Sequence, residues 1–204
     1  MKKGRARFFS LLLCLPLRFT GLPLQAHAAW FSDVPAHAWY SQAVSSLADR
    51  GIIAGTGGTT FSPNATLTRG AFVTMLAKSA LSASDLQQYN FKGSFKDVST
   101  SHWSNRYVNW AVETNVVDGY ENGTFQPDKA VTRQEMAVMV RNFAQSTGKQ
   151  FPSINSPVTF QDQGKIASWA LNAVKLCQQA DVINGDADTK RFRPTDRASR
   201  AEAA

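Results

Sequence analysis

The stretch Thr132-Arg133-Gln134-Glu135-Met136-Ala137-Val138-Met139-Val140-Arg141-Asn142-Phe143 decides the fold. Ser/Thr-x-x-Glu is a helix-starting pattern: the hydroxyl accepts from a backbone N–H of the first turn, and the Glu reaches back to the N–H of the capping residue. Behind it, Met136, Met139, Val140 and Phe143 fall at i, i+3, i+4 and i+7, which makes one apolar helix face. Arg133 then sits in the first turn, where the helix dipole disfavours a cation. Local structure gives no reason for it, whereas an anion bound at the helix end would. The pattern therefore predicts an exposed, ligand-facing Arg133, with Thr132 and Glu135 doing the capping.

The same corner returns as Thr68-Arg69-Gly70-Ala71 and as Ser199-Arg200-Ala201-Glu202. Working outward, Phe31-Ser32-Asp33-Val34 recurs 64 positions on as Phe95-Lys96-Asp97-Val98, and in weaker form as Phe160-Gln161-Asp162-Gln163. Trp39 and Trp103, Gly55 and Gly119, Phe61 and Phe125, Pro63 and Pro127, and Arg69 and Arg133 keep the offset. The third copy slips by single residues and still carries Trp169, Gly185, Phe192, Pro194 and Arg200 in order. So many matches in register identify a tandem repeat.

Each copy reads alike. Asp33, Asp97 and Asp162 are placed to cap a first helix, which runs from about Trp39 to Arg50 with Ala43, Val44, Leu47 and Ala48 inward and Gly51 after its end. The equivalent inner faces are Tyr107, Val108, Ala111 and Val112, then Ala173, Val174, Cys177 and Gln178, so Cys177 reads as a small core residue. An apolar pair follows (Ile52-Ile53, Val116-Val117, Val182-Ile183), then Gly55, Gly119 or Gly185, valued first for backbone freedom and second for close ligand approach. Phe-x-Pro closes the loop before the capping-box helix. One helix pair buries little surface alone, so the three copies are expected to share a core. The third copy ends at Ala204 with its second helix started but not built, and is expected to be the weak one.

The net charge of +7 misleads. Lys2, Lys3, Arg5, Arg7 and Arg18 lie in the first 28 residues, which hold no Asp or Glu; setting those five aside leaves 17 basic against 15 acidic residues. That segment has a basic start, the apolar run Phe8 to Leu17 and Ala26-His27-Ala28, which together predict a secretory signal cleaved after Ala28. Cys14 lacks the small residues expected before a lipidated cysteine. Removal of the leader leaves Cys177 as the one cysteine, with no intramolecular disulfide possible, and no apolar stretch long enough to cross a membrane. A nucleic-acid partner has little support once the leader's charge is removed.

Phe-x-Asp-Val, a Trp, an apolar pair with Gly, Phe-x-Pro and the Thr-Arg-x-Glu corner together resemble the S-layer homology (SLH) domain. The resemblance spans Phe31 to the C-terminus. It implies a mainly α fold in which three tandem helix-loop-helix repeats form a pseudo-threefold helical bundle, here with the last helix missing. The organisation expected is a signal over 1–28, a first repeat and linker over 29–94, a second over 95–159 and an incomplete third over 160–204. The resemblance also implies an exported protein held non-covalently at the bacterial cell wall by a secondary cell wall polysaccharide, often pyruvylated, whose ketal carboxylate meets the motif Arg. Carried over by position, the ligand residues would be Arg69, Arg133 and Arg200, with Trp39, Trp103, Trp169, Asp33, Asp97, Gly55 and Gly119 around them. The Trp residues are open to two readings, core packing or a flat face for a sugar. The first copy departs at Gly70-Ala71, and the third at Gln163 and Ser199; binding through the first two copies is therefore better supported.

No enzyme assembles from these residues. His37 and His102 stand without a nucleophile or carboxylate at usable spacing, and no metal-ligand cluster or cofactor motif occurs. The alternative is an N-terminal piece of a larger surface-layer subunit or wall-bound exoenzyme, with a cargo, assembly or catalytic domain beyond residue 204.

Overall fold

The structure is a computed structural model that describes residues 31–90 and 93–204; the expected leader and its cleavage after Ala28 lie outside the described residues. Five α-helices carry the fold: α1 Ser41–Asp49, α2 Arg69–Ala80, α3 Asn105–Glu113, α4 Arg133–Ser146 and α5 Ser168–Gln179. Among the described residues no strand forms, and inter-repeat pairing is limited to single β-bridges, so the mainly α expectation holds. The first helix begins after Trp39 rather than at it.

The second helices start as their sequences dictate. At α4 the Thr132 hydroxyl accepts from Glu135 N while Glu135 accepts from Thr132 N at 2.8 Å. Ser199 and Glu202 close the same reciprocal pair. At α2 Thr68 accepts from Ala71 N, and Ala71 has nothing to return.

The first helices start differently from expectation. Asp33, Asp97 and Asp162 cap no helix. Each carboxylate instead accepts two backbone N–H groups of its own Phe-x-Pro: Asp33 from Phe61 and Ser62, Asp97 from Phe125 and Gln126, Asp162 from Phe192 and Arg193, all at 2.7–2.8 Å. The middle residue of each motif has a positive φ (Ser62 57°, Gln126 56°, Arg193 57°), a conformation uncommon for a residue with a Cβ. The carboxylate clamp holds that left-handed residue in place. Two N–H donors outweigh the effect of burial on Asp162 and keep its pKa low.

The glycine after the apolar pair also has a different reason from the one expected. Gly55, Gly119 and Gly185 do not take positive φ. A Cβ at Gly119 would overlap the Phe95 ring, and one at Gly185 would meet Phe160 Cε1 at 2.5 Å and Arg191 O at 2.7 Å. The first Phe of each repeat lies on the glycine and tilts against the second Phe, with ring centroids 5.3 Å (Phe31–Phe61), 5.6 Å (Phe95–Phe125) and 5.4 Å (Phe160–Phe192) apart.

Across repeats, α2 packs on α3 and α4 on α5, so each second helix lies against the first helix of the next repeat. This builds a continuous core that includes Phe72, Val73, Val108, Ala111, Met136, Val174 and the buried Cys177, whose thiol pKa burial pushes up to about 12. The repeats share that core only in part. Val44 of α1 belongs to a separate cluster with Phe31, Val34, Ile52, Ile53 and Phe61.

Candidate functional site

Three corners join the repeats in a cycle. The backbone N–H of Arg69 donates to Lys129 O, that of Arg133 to Asp196 O, and that of Arg200 to Ala65 O. The next N–H in each case goes to a proline carbonyl: Gly70 to Pro127, Gln134 to Pro194, Ala201 to Pro63. Single bridges Thr68–Ala130, Thr132–Arg197 and Thr66–Ser199 accompany them. The helix-end donors that an anion would need are thus occupied by the neighbouring repeat, which overturns the expectation of free N–H groups beside the motif Arg.

The Arg side chains follow the same cycle. Arg69 Nε donates to Phe125 O at 2.9 Å, Arg133 Nε to Phe192 O at 2.8 Å and Arg200 Nε to Phe61 O at 2.8 Å. Each guanidinium lies over the same Phe ring, 4.7, 5.2 and 4.5 Å from its centroid. Arg69 Nη1 meets Glu135 at 3.2 Å, and Arg133 Nη1 meets Glu202 at 2.7 Å. Arg69 and Arg133 are only 4% and 5% exposed, so they are not the solvated side chains the local pattern predicted. Glu135 and Glu202 do two jobs, capping their own helix and pairing with the Arg of the preceding repeat. Burial works to raise the Glu135 pKa, but Thr132, Arg69 and Tyr120 together hold it below its ordinary value; Ser199, Arg133 and Arg193 do the same for Glu202.

The tryptophans resolve the other way. Trp39, Trp103 and Trp169 are 75%, 53% and 55% exposed. Trp169 of the third repeat lines a cavity of about 280 Å³ with Arg69 of the first and Gly119, Tyr120 and Glu135 of the second. Trp39 of the first repeat lines one of about 430 Å³ with Arg133 of the second and Gly185, Asn184 and Glu202 of the third. In the remaining corner the Trp103 ring reaches within 3.4 Å of where a Cβ on Gly70 would lie, at the start of α2. Both cavities therefore draw an Arg from one repeat, the glycine loop from the next and a Trp from the third. Of the expected residues, Arg69, Gly119 and Trp169 converge in one cavity and Arg133, Gly185 and Trp39 in the other, while Asp33 and Asp97 hold the loop through backbone hydrogen bonds. Tyr120, which donates to Glu135 at 3.0 Å and stacks on Arg69, and Asn184, whose carbonyl accepts from Arg133, were not singled out in the sequence; their positions just after and just before the repeat glycine were the available signal.

A model of the S-layer homology domain matches three times, over residues 31–73, 94–137 and 159–204. The chain belongs to the S-layer homology family. SLH modules anchor proteins at the bacterial cell wall and are not themselves catalytic. The chain is similar to an endoglucanase of Bacillus sp. strain KSM-635, 27% identical over 88% of this chain and 18% of the relative. It is 30% identical to a cellulosome-anchoring protein of Acetivibrio thermocellus over 70% of this chain and 31% of that protein. It is also 36% identical to the surface-layer 125 kDa protein of Lysinibacillus sphaericus over 53% of this chain and 9% of that one. The chain thus spans less than a third of the length of these curated relatives. Its family places it among cell-surface proteins, and among the described residues no helix is long and apolar enough to cross a membrane.

Proposed function

We propose that this chain holds a larger protein non-covalently at the cell wall by binding a secondary cell wall polysaccharide that carries acidic groups, pyruvate ketals being the first choice. The observation that carries the reading is the convergence of an exposed Trp, a close-approach glycine loop and a guanidinium in grooves built from all three repeats. A half-exposed indole offers an apolar face for a sugar ring and one N–H donor for a hydroxyl. The guanidinium edge supplies charge-assisted hydrogen bonds to an acidic substituent. The short span of the chain on its relatives, with names that include an endoglucanase and a surface-layer protein, supports a cargo or assembly domain elsewhere in the same protein.

The test is calorimetric titration of purified wall polysaccharide, native and depyruvylated. Trp is the residue to change, because a groove Arg also holds the fold together. Trp169→Ala and Trp39→Ala should each weaken binding by about tenfold, the loss of one good aromatic contact, with the melting temperature unchanged. Parental affinity in a variant lacking Trp39, Trp103 and Trp169 together would rule out the grooves as the site.

A further inference from the structure

The three motif corners are not equivalent, and the difference sits at one position. The residue three places after the helix cap is Glu135 in the second repeat, Glu202 in the third and Ala71 in the first. Each Glu meets the Nη1 of the preceding repeat's Arg. Arg200, for which the residue matching Glu135 and Glu202 by repeat position is Ala71, donates from Nε to Phe61 O and from Nη2 to Ala54 O at 2.7 Å. Among the described residues its Nη1 has no partner and its guanidinium no ion pair within 4 Å. Asp33 is the carboxylate that bears on it, and both Asp33 oxygens are already taken by Phe61 N and Ser62 N.

The charge lining the grooves differs accordingly. The groove over Arg69 holds that one cation against two carboxylates, Asp118 and Glu135. The groove over Arg133 holds Arg133 and Arg193 against Asp186 and Glu202, with no net charge. Of the three motif guanidiniums, that of Arg200 is the one with no ion pair within 4 Å among the described residues, and the matching position holds the Ala71 methyl where the other copies carry a carboxylate.

We propose that the groove between the third and first repeats is the anion-selective one, and that Ala71 makes it so by leaving the Arg200 Nη1 free for a carboxylate on the ligand. The ligand's acidic group takes the place that Glu135 and Glu202 fill internally. The other two grooves, with their guanidinium already paired, favour uncharged sugar. This assignment rests on the reading of the grooves as polysaccharide sites and reverses the preference for the first two copies that the motif alone implies.

The experiment titrates the whole chain with two probes, a methyl N-acetylmannosaminide carrying a pyruvate ketal and the same glycoside without it. The parent should bind the ketal form about ten- to a hundredfold more tightly, the span that one hydrogen bond to a charged group supplies, at one site per chain. Ala71→Glu places a carboxylate on Arg200 and completes the capping box with Thr68. It should abolish that preference, leave the ketal-free glycoside bound as before and melt no lower than the parent. Ala71→Gln, which fills the same space without charge, should keep part of the preference. An Ala71→Glu variant with the parental preference overturns the assignment while leaving the polysaccharide reading intact. Failure of the parent to bind either glycoside, or the purified polymer, overturns both.

Discussion

Two of the seams between repeats are built alike, and the third, which closes the cycle, is not. At the first seam α2 lies on α3, and at the second α4 lies on α5; each is pinned by an Arg–Glu pair. The closing seam has the backbone hydrogen bonds of the other two (Leu67 N to Ala198 O, Arg200 N to Ala65 O, Ala201 N to Pro63 O) but, among the described residues, not the ion pair. The effect on packing is visible at both sides of that seam. Val116 and Ile52 are buried, whereas their counterpart Val182 is 52% exposed. On the other side α1 buries only Val44 in full, while α3 and α5 bury five residues each. The motif backbone and the Arg200 side chain close the cycle, while an Arg–Glu pair and helix packing add to the same contacts at the other two seams.

The largest test of this contrast removes the motif Arg from a strong seam and from the weak one. Arg133→Ala removes the pair with Glu202, which keeps Ser199 and Arg193, and strands the carbonyls of Phe192 and Asn184 beneath a buried side chain, and should cost about 3 kcal/mol. Arg200→Ala breaks no ion pair and frees the carbonyls of Phe61 and Ala54 at a more exposed site, and should cost about 1 kcal/mol. Urea unfolding midpoints measure both, and equal losses would erase the distinction between the seams.

A second, smaller lesion serves as a control, because it acts inside each repeat rather than between repeats. Gly55→Ala, Gly119→Ala and Gly185→Ala each push a methyl into the first Phe ring of the motif, at about 2 kcal/mol of overpacking apiece. The three should lose similar stability by the same unfolding assay. A cost confined to the second repeat would mean the Phe-on-glycine contact depends on the seams after all.

The smallest effect is acid sensitivity. The Glu135 and Glu202 pKa values are lowered in the folded state, so their contribution is fully present above the unfolded carboxyl pKa of roughly 4.3. It is lost as pH falls through the lower folded values. Stability of the parent should fall on acidification below that point, by about 1 kcal/mol from this source. A Glu135→Gln/Glu202→Gln double variant should show a flatter profile in melting curves taken across pH 6 to 3. An unchanged slope in that variant would place the acid-labile groups elsewhere.

The sequence by itself determined the repeat, its order of elements and the starts of the second helices. Those are local properties: capping boxes and apolar periodicity act within a few residues, and three copies in register make each position readable. The left-handed turn after each first helix was equally local, and Gly51, Asn115 and Asp181 all adopt it with φ of 58–67°. Only the tertiary structure decided what the motif residues do. Arg133 reads as an exposed helix-end cation because its partners, Asn184, Phe192 and Glu202, lie 51 to 69 positions away in another repeat. The Asp of Phe-x-Asp reads as a helix cap because the N–H groups it satisfies are 28 to 31 positions on. The Trp reads ambiguously because its exposure depends on which repeat it faces. A linear pattern specifies a residue's own helix face; closing three copies into a cycle assigns each polar side chain a partner that no spacing within one copy encodes.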